Sequence, residues 1–270
     1  MSNPDRRQIT GFSNPTIKRL KSLREKKHRK KEGHFLAEGL RILTEALEAG
    51  RTPKLLVVVE DTELHPLAQD IEAATLAAGG EVIETSEAII GKLSGKSNPQ
   101  SIIGIYEDHP TALMDIKRDE SGIWLVAQAL RDPGNLGTIL RTGDAVGAGG
   151  LILIDDCVDP FSVESVRASM GAVFTQKIAQ ASWPDFSDWL RSGEGQLVGT
   201  SLNTDKDYQA VQYKAPTFLL VGNEAQGLPP DYEAACDVLV KMPMMGKADS
   251  LNAAVATAVM AYEVLNQARK

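Results

Sequence analysis

Short, unbroken apolar runs recur along this chain: Lys54 to Glu60 (KLLVVVE), Ser101 to Glu107 (SIIGIYE), Ile123 to Leu130 (IWLVAQAL), Leu151 to Ile154 (LILI) and Thr217 to Val221 (TFLLV). A strand that is apolar at every position is covered on both faces, which a parallel sheet flanked by helices provides. Helix-like stretches separate the runs, among them Glu38 to Ala49 closed by Gly50, Pro66 to Ala78 ended by Gly79-Gly80, Asn135 to Val146, Ser162 to Met170 and Pro184 to Arg191. This alternation predicts an α/β fold. At 270 residues the chain has room for two domains. The segment Asp108 to Gly122 (DHPTALMDIKRDESG) is polar and contains Pro110, and reads as a linker. The expected organisation is a first domain over residues 1–108, a linker over 109–122 and a second domain over 123–270.

Several function classes are excluded by composition. No run approaches the ~18 consecutive apolar residues of a membrane helix, and the opening MSNPDRRQITGFSNP has no apolar signal core. The two cysteines, Cys157 and Cys236, form no CxxC and have no histidine at ligand spacing, so neither a disulfide framework nor a zinc site is expected. A reducing, cytoplasmic setting fits. The net charge is −7, yet Lys18 to Lys31 holds nine basic residues against the single acid Glu25; that stretch carries +8 and leaves −15 for the rest. A basic stripe on an acidic body meets phosphate locally, although a solvated helix face would read the same way. Thr16 to Lys31 is predicted as one helix, with Ile17, Leu20 and Leu23 as its thin apolar stripe. The loop Ser94 to Gln100 (SGKSNPQ) suits contact with an RNA backbone, or is an ordinary turn.

Three loops stand out as candidates for one site. The first lies in LRDPGNLGTILRTGDAVGAGG, Leu130 to Gly150: Asp132-Pro133-Gly134 reads as a turn, Asn135 as the helix N-cap, and Arg141 as pointing away from the apolar face of Leu136, Leu140 and Gly143. An arginine so placed binds phosphate through two parallel hydrogen bonds, or makes a surface ion pair. The second is FLLVGNEAQGLPPDY, Phe218 to Tyr232, where Gly222 would let a ligand lie against bare backbone beyond a strand's carboxyl end. The third is VKMPMMGKADSLNAAVATAVMAYE, Val240 to Glu263, with Ser250 as a plausible N-cap, Leu251, Val255, Val259 and Tyr262 on one helix face, and alanines opposite that allow another backbone to approach. None of these is a GxGxxG fingerprint, which weighs against a nucleotide-dependent oxidoreductase.

Taken together, NLGTILRT with the following GAGGLIL, LLVGNEAQGL, and MPMMGKADSLN resemble the three motifs of the SpoU/TrmH family, RNA ribose 2′-O-methyltransferases of the SPOUT class, over roughly residues 123–268. The resemblance implies an α/β domain with a mostly parallel sheet whose C-terminal part is tied in a deep trefoil knot, an arrangement that general topology rules would have excluded. The N-terminal region resembles, through its basic first helix and HFLAEGLRILTEAL, the ribosomal-protein-like α/β substrate-binding domain of the rRNA-modifying branch.

The resemblance further implies S-adenosylmethionine as methyl donor, with no metal, held by Thr200, Leu220, Gly222, Asn223, Met242, Met244 and Leu251. It implies Asn135, Arg141, Glu224, Ser250 and Asn252 as catalytic candidates, structured RNA (ribosomal RNA above all) as substrate, and a homodimer formed through the C-terminal domain. One departure is mild: Ala248 and Ala253 stand where the family more often has Val-like residues. A transfer-RNA ribose methyltransferase and a non-catalytic RNA-binding ribosome-assembly factor are the alternatives. The general base is left open.

Overall fold

The apolar runs fall into two separate sheets, one in each of the two units into which the chain divides. The computed structural model describes residues 6–60 and 64–270; residues 1–5 and 61–63 lie outside the described residues. The first unit runs to Asp108 and adds Phe161–Thr175, while the second comprises His109–Pro160 and Gln176–Lys270.

In chain order the first unit holds β1 (Arg6–Gln8), α1 (Pro15–Ser22), α2 (Lys26–Glu32), β2 (His34–Glu38), α3 (Leu40–Glu48), β3 (Leu55–Val59), α4 (Pro66–Ala77), β4 (Glu81–Thr85), α5 (Glu87–Ser94) and β5 (Ile102–Glu107). The sheet order is β1-β4-β3-β5-β2, with β3 parallel to β4 and β5 antiparallel to both of its neighbours. Leu20, Leu23, Leu36, Val57, Ile83, Ile90 and Ile103 are all but fully buried in its core.

The basic stretch forms two helices where the sequence predicts one. Leu23, Arg24 and Glu25 donate their amides three residues back, which tightens and ends the first turn-run, and Glu25 is extended. Two buried side chains explain the break. Leu23 is drawn fully into the core, and Arg29, only 5% exposed, donates from Nη1 to the Leu23 carbonyl at 2.8 Å. The carbonyl that the helix end leaves unpartnered is thereby satisfied. Arg29 is thus structural, while Lys18, Arg19, Lys21, Arg24, Lys26, Lys27, Lys30 and Lys31 face solvent.

The remaining elements are β6 (Ile123–Gln128), α6 (Pro133–Val146), β7 (Gly150–Ile154), α7 (Val163–Ser169), β8 (Lys177–Ala181), α8 (Trp183–Arg191), β9 (Gln196–Thr200), β10 (Thr217–Val221), α9 (Pro230–Ala235), β11 (Val238–Val240) and α10 (Ala253–Ala268). Their sheet, β11-β9-β10-β6-β7-β8, is parallel throughout. Every residue of β6, β7 and β10 is buried, as a parallel sheet covered on both faces requires. α10 lies against α6, β6 and β10, and its buried side is Ala253, Ala254, Thr257, Met260, Ala261 and Val264. Phe186, Trp189 and Leu113 pack with Trp124 and Phe218 in the other apolar cluster. α7 departs from this pattern: its Val163 joins the core of the first unit, where Phe161 and Phe174 pack on the ring of Phe35 and Arg167 pairs with the buried carboxylate of Glu38.

Residues 109–122 are expected to be a linker and are instead packed into the second unit. Leu113 and Ile116, three apart on a single helical turn, are buried in its apolar cluster. Arg118 lies over the Trp189 ring, 3.9 Å from its centroid, and donates to the Leu190 carbonyl at 2.8 Å. The polar residues that suggest a linker are the outer side of this strap. Ile116→Ala is therefore expected to cost about 2–4 kcal/mol, read as a lowered urea midpoint of the second unit; a solvated linker would show no change.

Candidate functional site

Because all six strands of the second sheet run the same way, their carboxyl ends share one edge, where ligands of open α/β sheets bind. A cavity of about 400 Å³ opens there, beyond β9, β10 and β11, walled by the loops 222–228 and 241–251. Thr200, Gly222, Asn223, Met242, Met244 and Leu251 line it, together with Glu224 and Ser250. Leu220 does not: it is fully buried in the apolar cluster, and the next residue, Val221, meets the cavity in its place. Alternation along a strand sends neighbours to opposite faces, so choosing one of the pair from the sequence is a one-residue matter.

The three loops are joined by a chain of side-chain amides. Asn252 Oδ1 accepts from the amides of Ala254 and Val255 at 2.9 and 3.3 Å and so caps α10. With the oxygen committed, its Nδ2 donates to Asn135 Oδ1 at 2.8 Å, and Asn135 Nδ2 in turn donates to Glu224 Oε1 at 2.9 Å. Each amide has one acceptor and one donor end, so the helix cap sets the orientation of both asparagines and delivers an N–H to the carboxylate. The structure thereby brings Asn135, Glu224 and Asn252 together from positions 117 residues apart in the chain.

Two caps differ from the sequence reading. The N-cap of α6 is Asp132, whose Oδ1 accepts from the Asn135 amide at 2.6 Å, because Pro133, with its preset φ and no N–H, takes the first helical position. The N-cap of α10 is Asn252 and not Ser250, whose hydroxyl donates to Asp249 Oδ1 at 3.2 Å and stands on the cavity wall. Arg141 lies outside both the cavity lining and the amide chain. It is six residues beyond Asn135 on α6, about 9 Å further along the axis, and is exposed with no hydrogen bond or ion pair among the described residues.

Gly222 has a different reason from the one its position suggests. A Cβ there would lie 2.3 Å from the Gly227 carbonyl carbon and 2.5 Å from the Leu228 amide nitrogen, so the space above it belongs to the protein's own loop. That loop is folded back by Asn223, whose Oδ1 accepts from the Ala225 and Gln226 amides and whose Nδ2 donates to the Ala129 carbonyl at 2.9 Å. The sequence reading missed Glu233 on the cavity wall, a carboxylate held by Ser201 and by Asn203 Nδ2 at 3.1 and 3.3 Å. Its only signal was an acid shortly after the second loop. Among the described residues no helix is long and apolar enough to cross a membrane, and no group of three or more His, Cys, Asp or Glu could hold a metal ion.

Residues 122–262 match the model of the SpoU rRNA Methylase family, and residues 14–104 match that of an MRM3-like substrate binding domain. The chain is 29% identical over 258 residues to the 23S rRNA (guanosine(2553)-2'-O)-methyltransferase RlmP of Bacillus subtilis (strain 168), covering 96% of this chain and 99% of that one. It is 31% identical to a 23S rRNA (uridine(2479)-2'-O)-methyltransferase of Streptomyces viridochromogenes, over 88% of this chain and 85% of the relative. Among solved structures, the AdoMet-bound rRNA methyltransferase from Sinorhizobium meliloti superposes with a TM-score of 0.90 at 40% identity, over 97% of this chain and 98% of its own.

Three substitutions test the local readings. Gly222→Ala is expected to lower the stability of the ligand-free protein by about 1–3 kcal/mol, measured by urea unfolding; unchanged ligand-free stability would mean that the glycine serves a ligand. Asn252→Ala should cost about 1 kcal/mol through loss of the cap, whereas Ser250→Ala should stay within about 0.5 kcal/mol. The reverse ranking in the same unfolding experiment would restore Ser250 as the cap.

Proposed function

This chain belongs to the SpoU rRNA Methylase family, and we propose that it transfers a methyl group from S-adenosylmethionine to a ribose 2′-hydroxyl of ribosomal RNA. The observation that carries the reading is the Glu224–Asn135–Asn252 chain, which interlocks the three motif loops beside a cavity of ligand size. About 400 Å³ lies within the range of roughly 300–1,000 Å³ typical of small-molecule sites. Its wall fits the donor: Val221, Met242, Met244 and Leu251 offer apolar contact to an adenine and a thioether chain, and the Glu233 carboxylate offers an acceptor to ribose hydroxyls.

The donor supplies a sulfonium methyl already activated for displacement, with a neutral thioether as leaving group. What the protein contributes is alignment and help with the proton. The ribose oxygen forms its bond to the methyl carbon as the carbon–sulfur bond breaks, and its proton goes to Glu224, whose Oε2 takes no hydrogen bond among the described residues. Asn135 holds the other carboxylate oxygen and keeps the acid turned to the site. Both ends of the Asn252 amide are occupied by the cap and by Asn135, which leaves Ser250 to position the hydroxyl. Arg141 is the cation for the adjoining RNA phosphate. A guanidinium suits a phosphate contact rather than the role of base.

The first unit would select the RNA through the exposed cations of α1 and α2 and the loop at Lys96, a reading supported by the substrate-binding match over residues 14–104. Leu251, Val255 and Tyr262 are 40%, 48% and 47% exposed on or beside α10, an apolar face suited to a second copy of the chain in a homodimer. The return of the chain from β11 to α10, laid over β6 and β10, is where the deep trefoil knot of the family would be tied. We place the reaction in the cytoplasm, a reducing setting that suits two unpaired cysteines.

The test is transfer of a labelled methyl group by the purified protein to ribosomal and transfer RNA fractions from a strain lacking the gene. Label in ribosomal RNA is expected, and its absence from both fractions sinks the proposal. Glu224→Gln should lower kcat by about 10²–10⁴ with donor affinity within a few-fold. Arg141→Lys should lose most turnover, because a point charge does not reproduce the two-pronged phosphate contact; near-full activity in Arg141→Lys would remove that role.

A further inference from the structure

A second cavity, about 460 Å³, lies on the other side of the loop that Asn223 folds back, at the carboxyl end of β6. Asn223, Gln226, Gly227 and Leu228 face both cavities. Its own walls are Gln128, Ala129, Arg131, Pro229 and Pro230. Gln128 is a polar side chain only 8% exposed, and its direction is set from behind: Nε2 donates to Asp155 Oδ2 at 3.3 Å. Asp155 is a carboxylate and only accepts, so the amide nitrogen is held towards it. Gln128 Oε1 is left for the cavity, with no hydrogen bond among the described residues. Asp155 is itself held in the left-handed region, φ +62°, by the Tyr232 hydroxyl at 2.7 Å, the Trp183 amide at 3.1 Å and its own amide on the Ala181 carbonyl at 3.0 Å. A non-glycine residue persists there only where its surroundings over-determine it. Arg131 engages Asp156 through one nitrogen, Nη1, at 2.7 Å, and keeps its other donors.

An oriented acceptor, a multiple donor and flat proline and leucine surface suit one ligand class. We propose that this cavity takes the Watson–Crick edge of the nucleobase whose ribose is methylated, with Gln128 Oε1 accepting from a base N–H, Arg131 donating to the neighbouring base acceptor, and Asp155 as the residue that positions Gln128. A ribose hydroxyl is as accessible on a duplex as on a loop, so the methyl transfer alone does not ask for an unpaired nucleotide; this cavity does, because the edge it takes is the edge that base pairing uses. The inference rests on the RNA ribose-methyltransferase reading above.

The test is a ligand-observed NMR titration of the full chain, saturated with S-adenosylhomocysteine, against uridine, guanosine, cytidine and adenosine 5′-monophosphates and ribose 5-phosphate. At least one nucleotide is expected to bind five-fold or more tightly than ribose 5-phosphate, and its analogue methylated on the Watson–Crick edge should lose that advantage. Gln128→Met and Arg131→Ala should each lose it too, with S-adenosylhomocysteine affinity within two-fold. Asp155→Asn, which frees the Gln128 amide to turn over, should change the order of preference among the four nucleotides. The proposal is overturned if no nucleotide exceeds ribose 5-phosphate, or if the advantage survives both Gln128→Met and Arg131→Ala. Failure of the wild-type protein to bind S-adenosylhomocysteine would instead count against the methyltransferase reading.

Discussion

The second unit depends on a sheet in which every strand points the same way. Such a sheet is apolar on both faces and leaves no place for polar chemistry except its ends. The carboxyl ends of β6, β9, β10 and β11 all open on one edge, so two cavities and the three loops lie together there. Helices α6 and α10 pack on one another over β6, and the buried side of α10 starts with the small residues Ala253, Ala254 and Thr257. That closeness puts the start of α10 within reach of the start of α6, and a single hydrogen bond between Asn252 and Asn135 spans the gap.

Polarity then passes along the amides. The free amides at the start of α10 fix the oxygen of Asn252, which fixes its nitrogen, which fixes Asn135, which presents a donor to Glu224. Helix termini are sources of unpaired groups, and here one terminus orients side chains on two other loops. The same logic recurs behind the second cavity, where the acceptor-only carboxylate of Asp155 orients Gln128. In both places a group with a single hydrogen-bonding role decides the direction of a group with two.

Much of this was legible in the residues. The Val- and Leu-rich runs gave the strands, since continuous burial has a continuous apolar signature, and the loops around Asn135, Glu224 and Asn252 were legible through a family's motif spacing. What was not legible depends on contacts distant in sequence. Arg29 looks like one more solvated cation until Leu23 is seen to need a partner for its carbonyl. Leu113 and Ile116 are two apolar residues in a polar stretch, and only the sheet face that receives them shows that they are core. Gly222 reads as room for a ligand, yet the atoms above it are the backbone of Gly227 and Leu228. The cap of α6 fell to Asp132 because Pro133 competes for the first helical position, a local rule that the more suggestive Asn135 obscured.

The placement of Phe161–Thr175 bears on how the protein is made. The first unit looks complete at Asp108, where its fifth strand has just ended, but Phe35 and Glu38 then still lack Phe161, Phe174 and Arg167. During synthesis from the N-terminus, that hydrophobic patch and that buried acid wait until β6, α6 and β7 have been translated. The first unit is therefore discontinuous in the chain, and the two halves of the gene cannot be exchanged as independent cassettes at residue 108 without leaving an aromatic seat empty on one product and its occupant exposed on the other.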